Sequence, residues 1–118
     1  TPANLLVRFK NPAALSQQIR KNFLHAAPQH WLEFRALAHA LHMSEATLQR
    51  RLRAEGISYQ QLKNEIRCER AILLLKQPDL SLQHISEQLN FHDPSAFYRA
   101  FKKWTGLKPS YYRSDKLK

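Results

Sequence analysis

The sequence predicts an all-α fold in which two helix-turn-helix subdomains are joined by a long linker helix. Three observations carry that expectation. Apolar residues recur at spacings of three and four, and no alternating apolar run is bounded by turn residues. The chain has only two glycines, each placed where a helix would stop. Finally, the second half of the chain repeats the layout of part of the first. With 118 residues, 43% of them apolar, the chain is long enough to bury a core.

The opening TPANLLVRFKNP reads as a lead-in. From about Pro12 to Ala26 the residues Leu15, Ile19 and Phe23 stand four apart, the repeat of one helical face, and Pro28 is expected to end that helix. A second helix is predicted over Trp31 to Leu41, with Leu37 and Leu41 inward, and HMS forms a turn. In the third, Ser44 is placed to cap the first-turn amides, Met43 and Leu48 stand at hydrophobic-staple positions, and Gly56 stops the helix.

Ser58 to Gln77 is the predicted linker helix. Its apolar positions Tyr59, Leu62 and Ile66 broaden into Ile72, Leu73, Leu74 and Leu75, which implies cover on several sides, and Gln77-Pro78-Asp79 ends it. SLQHISEQLNF follows with Leu82, Ile85 and Leu89 on one face. In HDPSAFYRAFKKWTG, Asp93 is a cap, Pro94 occupies the first helical position, and Gly106 and Pro109 close the helix. The expected organisation is 1–30 lead-in and first helix, 31–57 first helix-turn-helix, 58–77 linker helix, 78–113 second helix-turn-helix and 114–118 a C-terminal tail.

The two halves align as copies. Leu41 matches Leu89, Leu48 matches Phe97, Leu52 matches Phe101 and Gly56 matches Gly106, the offset growing from 48 to 50 through two small insertions. His42 and Asn90 each follow the last core leucine of a first helix, where a tight turn needs positive φ, and both residue types tolerate it.

Charge selects the partner. Lys and Arg number 19 against 9 Asp and Glu, a net charge of +10, which favours a polyanion, nucleic acid before a membrane surface. At 100° per residue, Leu48 and Leu52 share one side of their helix, and Ala46, Gln49, Arg50 and Arg53 fall in a sector of roughly 100° opposite. The same arithmetic groups Phe97, Phe101 and Trp104, and sets Ser95, Ala96, Arg99, Lys102 and Lys103 on the other face. Such a helix fits the major groove, where Arg reads guanine and Gln reads adenine. Arg50 and Arg99 are the base readers expected from their matching places. Lys102 and Lys103 suit phosphate, and Arg51, projecting sideways, suits packing or phosphate.

LNFHDPSAFYRAFKKWTGLKPSYYR resembles the C-terminal signature of the AraC/XylS family of bacterial transcription regulators, and HALHMSEATLQRRLRAEGISYQQL resembles that family's first helix-turn-helix. The resemblance covers about Trp31 to Arg113. It implies about seven helices, with a linker helix holding two recognition helices toward adjacent major grooves of double-stranded promoter or operator DNA. Carried over by position, it implies base contacts by Ala46, Gln49, Arg50, Ser95, Ala96 and Arg99. Arg51, Arg53, Lys102 and Lys103 are the expected phosphate contacts. Two departures stand out: Asn90 replaces the usual glycine, and RAEG after Leu52 is one residue short. Neither touches the reading face.

The resemblance also implies an effector or dimerisation domain in an N-terminal part outside this chain. RNA polymerase is a further expected partner, and a cytoplasmic, nucleoid-associated location follows. No cofactor and no metal are expected: Cys68 is alone and the six histidines offer no convergent ligand set. No catalytic constellation marks an enzyme, Glu45, Glu55 and Glu87 reading as solvated helix charges, and no apolar run approaches a membrane span. The rival reading is a basic helical module for protein interaction or non-specific nucleic-acid binding. The doubled reading face argues against it.

Overall fold

Local chemistry sets where four of the helices begin. A computed structural model describes residues 14–114. Among these residues the chain forms seven α-helices and no strand: α1 (Leu15–Leu24), α2 (Phe34–Ala40), α3 (Glu45–Ala54), α4 (Tyr59–Leu75), α5 (Leu82–Gln88), α6 (Pro94–Thr105) and α7 (Pro109–Ser114). A 3-10 turn at Pro28–His30 lies between α1 and α2. The lead-in Thr1 to Pro12 and the tail beyond 114 fall outside the described residues.

The described residues divide into two compact units, 14–26 with 30–63 and 27–29 with 64–114. The first turn of α4 belongs to the first unit and its remainder to the second.

Side-chain caps start the key helices. The Ser44 Oγ accepts from Thr47 N–H (3.1 Å) at the head of α3, the Ser81 Oγ from His84 N–H (3.0 Å) at α5, and the Asp93 carboxylate from Ala96 N–H (2.8 Å) at α6. At α4, Gln61 N–H donates to Ser58 Oγ (3.1 Å) while Ser58 N–H donates to Gln61 Oε1 (2.8 Å), a reciprocal capping box.

Left-handed residues stop α2, α3, α5 and α6. His42 (φ 59°) and Asn90 (φ 64°) are the positive-φ residues other than glycine among those described. After α2, Met43 N–H reaches Ala38 O (3.0 Å) and His42 N–H reaches His39 O (3.0 Å). After α5, Phe91 N–H reaches Ser86 O (2.8 Å) and Asn90 N–H reaches Glu87 O (3.1 Å). Both are Schellman motifs, and a third follows α3 with Gly56 at φ 80°. Asn90 thus does in the second turn what glycine usually does.

In the first unit Leu15, Ile19 and Phe23 of α1 are buried, with Leu37 of α2, Leu48 and Leu52 of α3, and Leu62 of α4. Phe23 stacks on Trp31 at 4.7 Å between ring centroids. In the second, Ala71 and Leu75 of α4 pack with Ile85, Leu89, Phe97 and Phe101, and Trp104 and Tyr112 pack against that cluster. Burial also pushes the Tyr59 hydroxyl up to about 12, while that hydroxyl donates to Leu32 O.

Several expectations are corrected. Among the described residues α1 ends at Leu24, so Pro28 opens a 3-10 turn instead of stopping a helix. The second helix starts at Phe34, not Trp31, because the Trp31 indole N–H donates to Phe23 O and Ala26 O (both 3.2 Å) and ties residue 31 to the end of α1. The apolar turn of α4 is covered on several sides, where Ala71, Ile72, Leu74 and Leu75 meet the core, and Leu73 alone of that run is exposed, at 66%. Pro109, expected to close a helix, begins α7 and is itself buried.

Phe101, with no exposed surface, anchors α6, so Phe101→Ala should destabilise the second unit by about 3 to 5 kcal/mol in denaturant unfolding. Asn90→Gly should leave stability nearly unchanged, and Asn90→Ala should cost about 1 kcal/mol, since only the alanine meets the left-handed penalty.

Candidate nucleic-acid interface

Burial of Leu48 (0% exposed) and Leu52 (1%) fixes the rotation of α3 about its own axis. Ala46, Gln49, Arg50, Arg51 and Arg53 are consequently all exposed. On α6, Phe97 and Phe101 are buried, and Ser95, Arg99, Lys102 and Lys103 are exposed, with Ala96 half-buried. Each helix therefore presents a cationic face to solvent, and α3 carries three arginines where α6 carries one arginine and two lysines. The turns of the two copies put Arg50 and Arg99 at matching places, six residues past the capping Ser44 and Asp93.

At α3 Arg50 is joined to the cap through Thr47. The Ser44 hydroxyl donates to Thr47 Oγ1 (3.0 Å), and Arg50 Nη2 donates to the same oxygen (3.3 Å). Sequence reasoning did not single out Thr47, although the Ser-x-x-Thr-x-x-Arg spacing, one residue per turn on the same face, is a usable signal.

Other supporting groups had no local signal. Glu55, expected to be a solvated charge, is half-buried and accepts from Leu15 N–H (2.8 Å), Ser16 N–H (3.3 Å) and the Ser16 hydroxyl, so it caps the start of α1. Arg67 of α4 lies over the Phe91 ring at 4.5 Å and the Trp104 ring at 5.5 Å. It also donates to Leu89 O (3.4 Å) and Asn64 Oδ1 (3.1 Å), which fastens the turn between α5 and α6. Burial lowers the Arg67 pKa from its ordinary value. Arg113 of α7 donates to Gln77 O (3.2 Å), Pro78 O (3.4 Å) and Leu80 O, gathering the loop that leads into α5.

Among the described residues no three His, Cys, Asp or Glu side chains converge as a metal site. Burial, with Glu69 and Glu65 adding, pushes the Cys68 thiol up to about 11, so it stays protonated near neutrality and is a poor nucleophile. No helix among those residues is long and apolar enough to cross a membrane.

The family model described as a helix-turn-helix domain matches residues 37–115. The HTH-type transcriptional regulator VqsM of Pseudomonas aeruginosa is 35% identical over 93 residues, covering 79% of this chain and 29% of the relative. The ornithine utilization regulator of the same organism is 39% identical over 93 residues, covering 79% of this chain and 27% of the relative. The chain thus spans less than a third of the length of these curated relatives. Among solved structures, the C-terminal domain of AraT, a response regulator from Geobacillus stearothermophilus, matches with a TM-score of 0.73 at 31% identity. That match covers 85% of this chain and 84% of the other.

The support behind the α6 face yields a test. Arg67→Met keeps the apolar stem and removes the donors, and should cost the second unit about 1 to 3 kcal/mol. Hydrogen exchange should show faster opening of α5 and α6, with the protection of α1 to α3 unchanged.

Proposed function

Because this chain belongs to the AraC/XylS family of helix-turn-helix transcription regulators, we propose that α3 and α6 each enter a major groove of double-stranded DNA and read separate half-sites of one operator. The observation that carries the reading is the pair of exposed cationic faces, set by buried apolar stripes, with Arg50 and Arg99 at matching places. A major groove admits a helix and displays a distinct donor and acceptor pattern for each base pair.

In this reading Ala46, Gln49 and Arg50 contact bases in one half-site, and Ser95, Ala96 and Arg99 in the other. Arg50 and Arg99 each bond two acceptors of guanine, Gln49 pairs with adenine, and Ala46 and Ala96 offer apolar contact to a thymine methyl. Arg51, Arg53, Lys102 and Lys103 meet phosphate, which adds affinity without sequence information. The Ser44 and Asp93 caps hold the first turns of the readers in place.

The longer regulator that carries this domain acts on transcription in the cytoplasm, associated with the nucleoid. Its effector or dimerisation domain lies in a further N-terminal part, and RNA polymerase is a second partner. No catalytic step is assigned to the chain. Binding to an acidic protein is the competing reading, and no observation here favours it.

Sequencing duplexes bound from a random pool tests the proposal. Arg50→Ala and Arg99→Ala should each lose base preference at a different position, by about 1 to 3 kcal/mol of discrimination. Lys102→Ala should weaken all sequences alike. A plot of log affinity against log salt should fall by about 0.9 for every phosphate contact. A flat salt profile, or arginine variants that leave every position unchanged, would contradict the proposal.

A further inference from the structure

The two readers differ in how their arginines are held, and we infer that Thr47 positions Arg50 and makes the first unit the more discriminating reader. The inference rests on the base-contact reading of Arg50 and Arg99 given above.

Three side chains, one per turn of α3, form a chain of hydrogen bonds. Ser44 Oγ accepts from Thr47 N–H (3.1 Å) and donates to Thr47 Oγ1 (3.0 Å), while Arg50 Nη2 donates to Thr47 Oγ1 (3.3 Å). A helical threonine divides between two χ1 states, and the Ser44 hydroxyl selects the one that turns Oγ1 toward Arg50. Both lone pairs of Oγ1 are then engaged. Only one Nη2 proton of Arg50 is used, so the other Nη2 proton and those of Nη1 remain to meet two acceptors of guanine.

Among the described residues nothing equivalent holds Arg99. The residues at matching places are Asp93, Ala96 and Arg99. Asp93 accepts from Ala96 N–H (2.8 Å), as Ser44 does from Thr47, but Ala96 has no side-chain acceptor to offer. An arginine that is already ordered loses less freedom on binding. It is also less able to swing to a phosphate or to the acceptor of a wrong base, so restraint raises discrimination more than affinity. Arg99, unrestrained, accommodates more sequences.

The test uses the 118-residue chain and a random-sequence duplex pool, with base preference read by sequencing the bound fraction. Thr47→Val keeps the shape and β-branching and removes the acceptor. It should lower preference by about 3- to 10-fold at the position that Arg50→Ala erases, with the melting temperature and the position erased by Arg99→Ala unchanged. Thr47→Ser retains the hydroxyl and should restore the preference, and Ala96→Thr should sharpen the Arg99 position. Full preference in Thr47→Val, where Arg50→Ala has lost it, would overturn the inference alone. A Thr47→Val chain that melts earlier and weakens at every position equally would also overturn it, leaving Thr47 a structural residue. If Arg50→Ala itself changes no position, the base-contact reading of Arg50 falls and this inference with it.

Discussion

The rotation of α3 and α6 about their own axes governs what each helix can offer to solvent. One residue step turns the helix by 100°, so Arg50 and Arg99 lie roughly opposite the apolar pairs of their helices, and a half-turn error in phase would bury the arginines and expose Leu48 or Phe97. Burying a large apolar side chain is worth about 1.5 to 3 kcal/mol, and desolvating an unpaired guanidinium costs more than that. With Leu48, Leu52, Phe97 and Phe101 all at or below 1% exposure, both terms select the same phase. The cationic faces are therefore a consequence of the cores, and the direction of every cationic residue on them follows from four apolar ones.

Helix ends convert that phase into position. A cap at Ser44 or Asp93 defines the first residue of α3 or α6, and the Schellman turn at His42 or Asn90 defines how the preceding helix lets go of the chain. The two copies meet this requirement with different residues. Serine and histidine serve one turn, aspartate and asparagine the other, because the need is for a small acceptor and for tolerance of positive φ rather than for any one side chain. Chemistry repeats where sequence does not.

The parts of the fold legible in the sequence are those that depend on near neighbours. Apolar spacing marked the helices, the caps marked their starts, and Asn90 in place of glycine was readable as a left-handed residue. What escaped depends on residues far apart in the chain. Glu55 looked like a solvated charge because its partners, Leu15 and Ser16, lie about forty residues earlier. Arg67 finds Leu89, Phe91 and Trp104 only in the folded unit, and Arg113 reaches back to Leu80. Trp31 fits a helical pattern as well as it fits a clasp on α1. Which member of the apolar run 72–75 stays uncovered, Leu73, was not legible, since periodicity cannot say how many neighbours a buried helix has. On the cationic face of α3, exposure followed from arithmetic, but the hold of Thr47 on Arg50 depends on side-chain rotamers that spacing does not set.

The most direct measurement of whether these faces meet DNA is the arginine side-chain region of a nitrogen–proton correlation spectrum, recorded while a selected duplex is added. The Nε–H signals of Arg50 and Arg99 should shift and slow their exchange with water, while those of Arg67 and Arg113, engaged inside the second unit, should stay in place. Unchanged Arg50 and Arg99 signals at saturating duplex would show that the two helices present their cationic faces to something else.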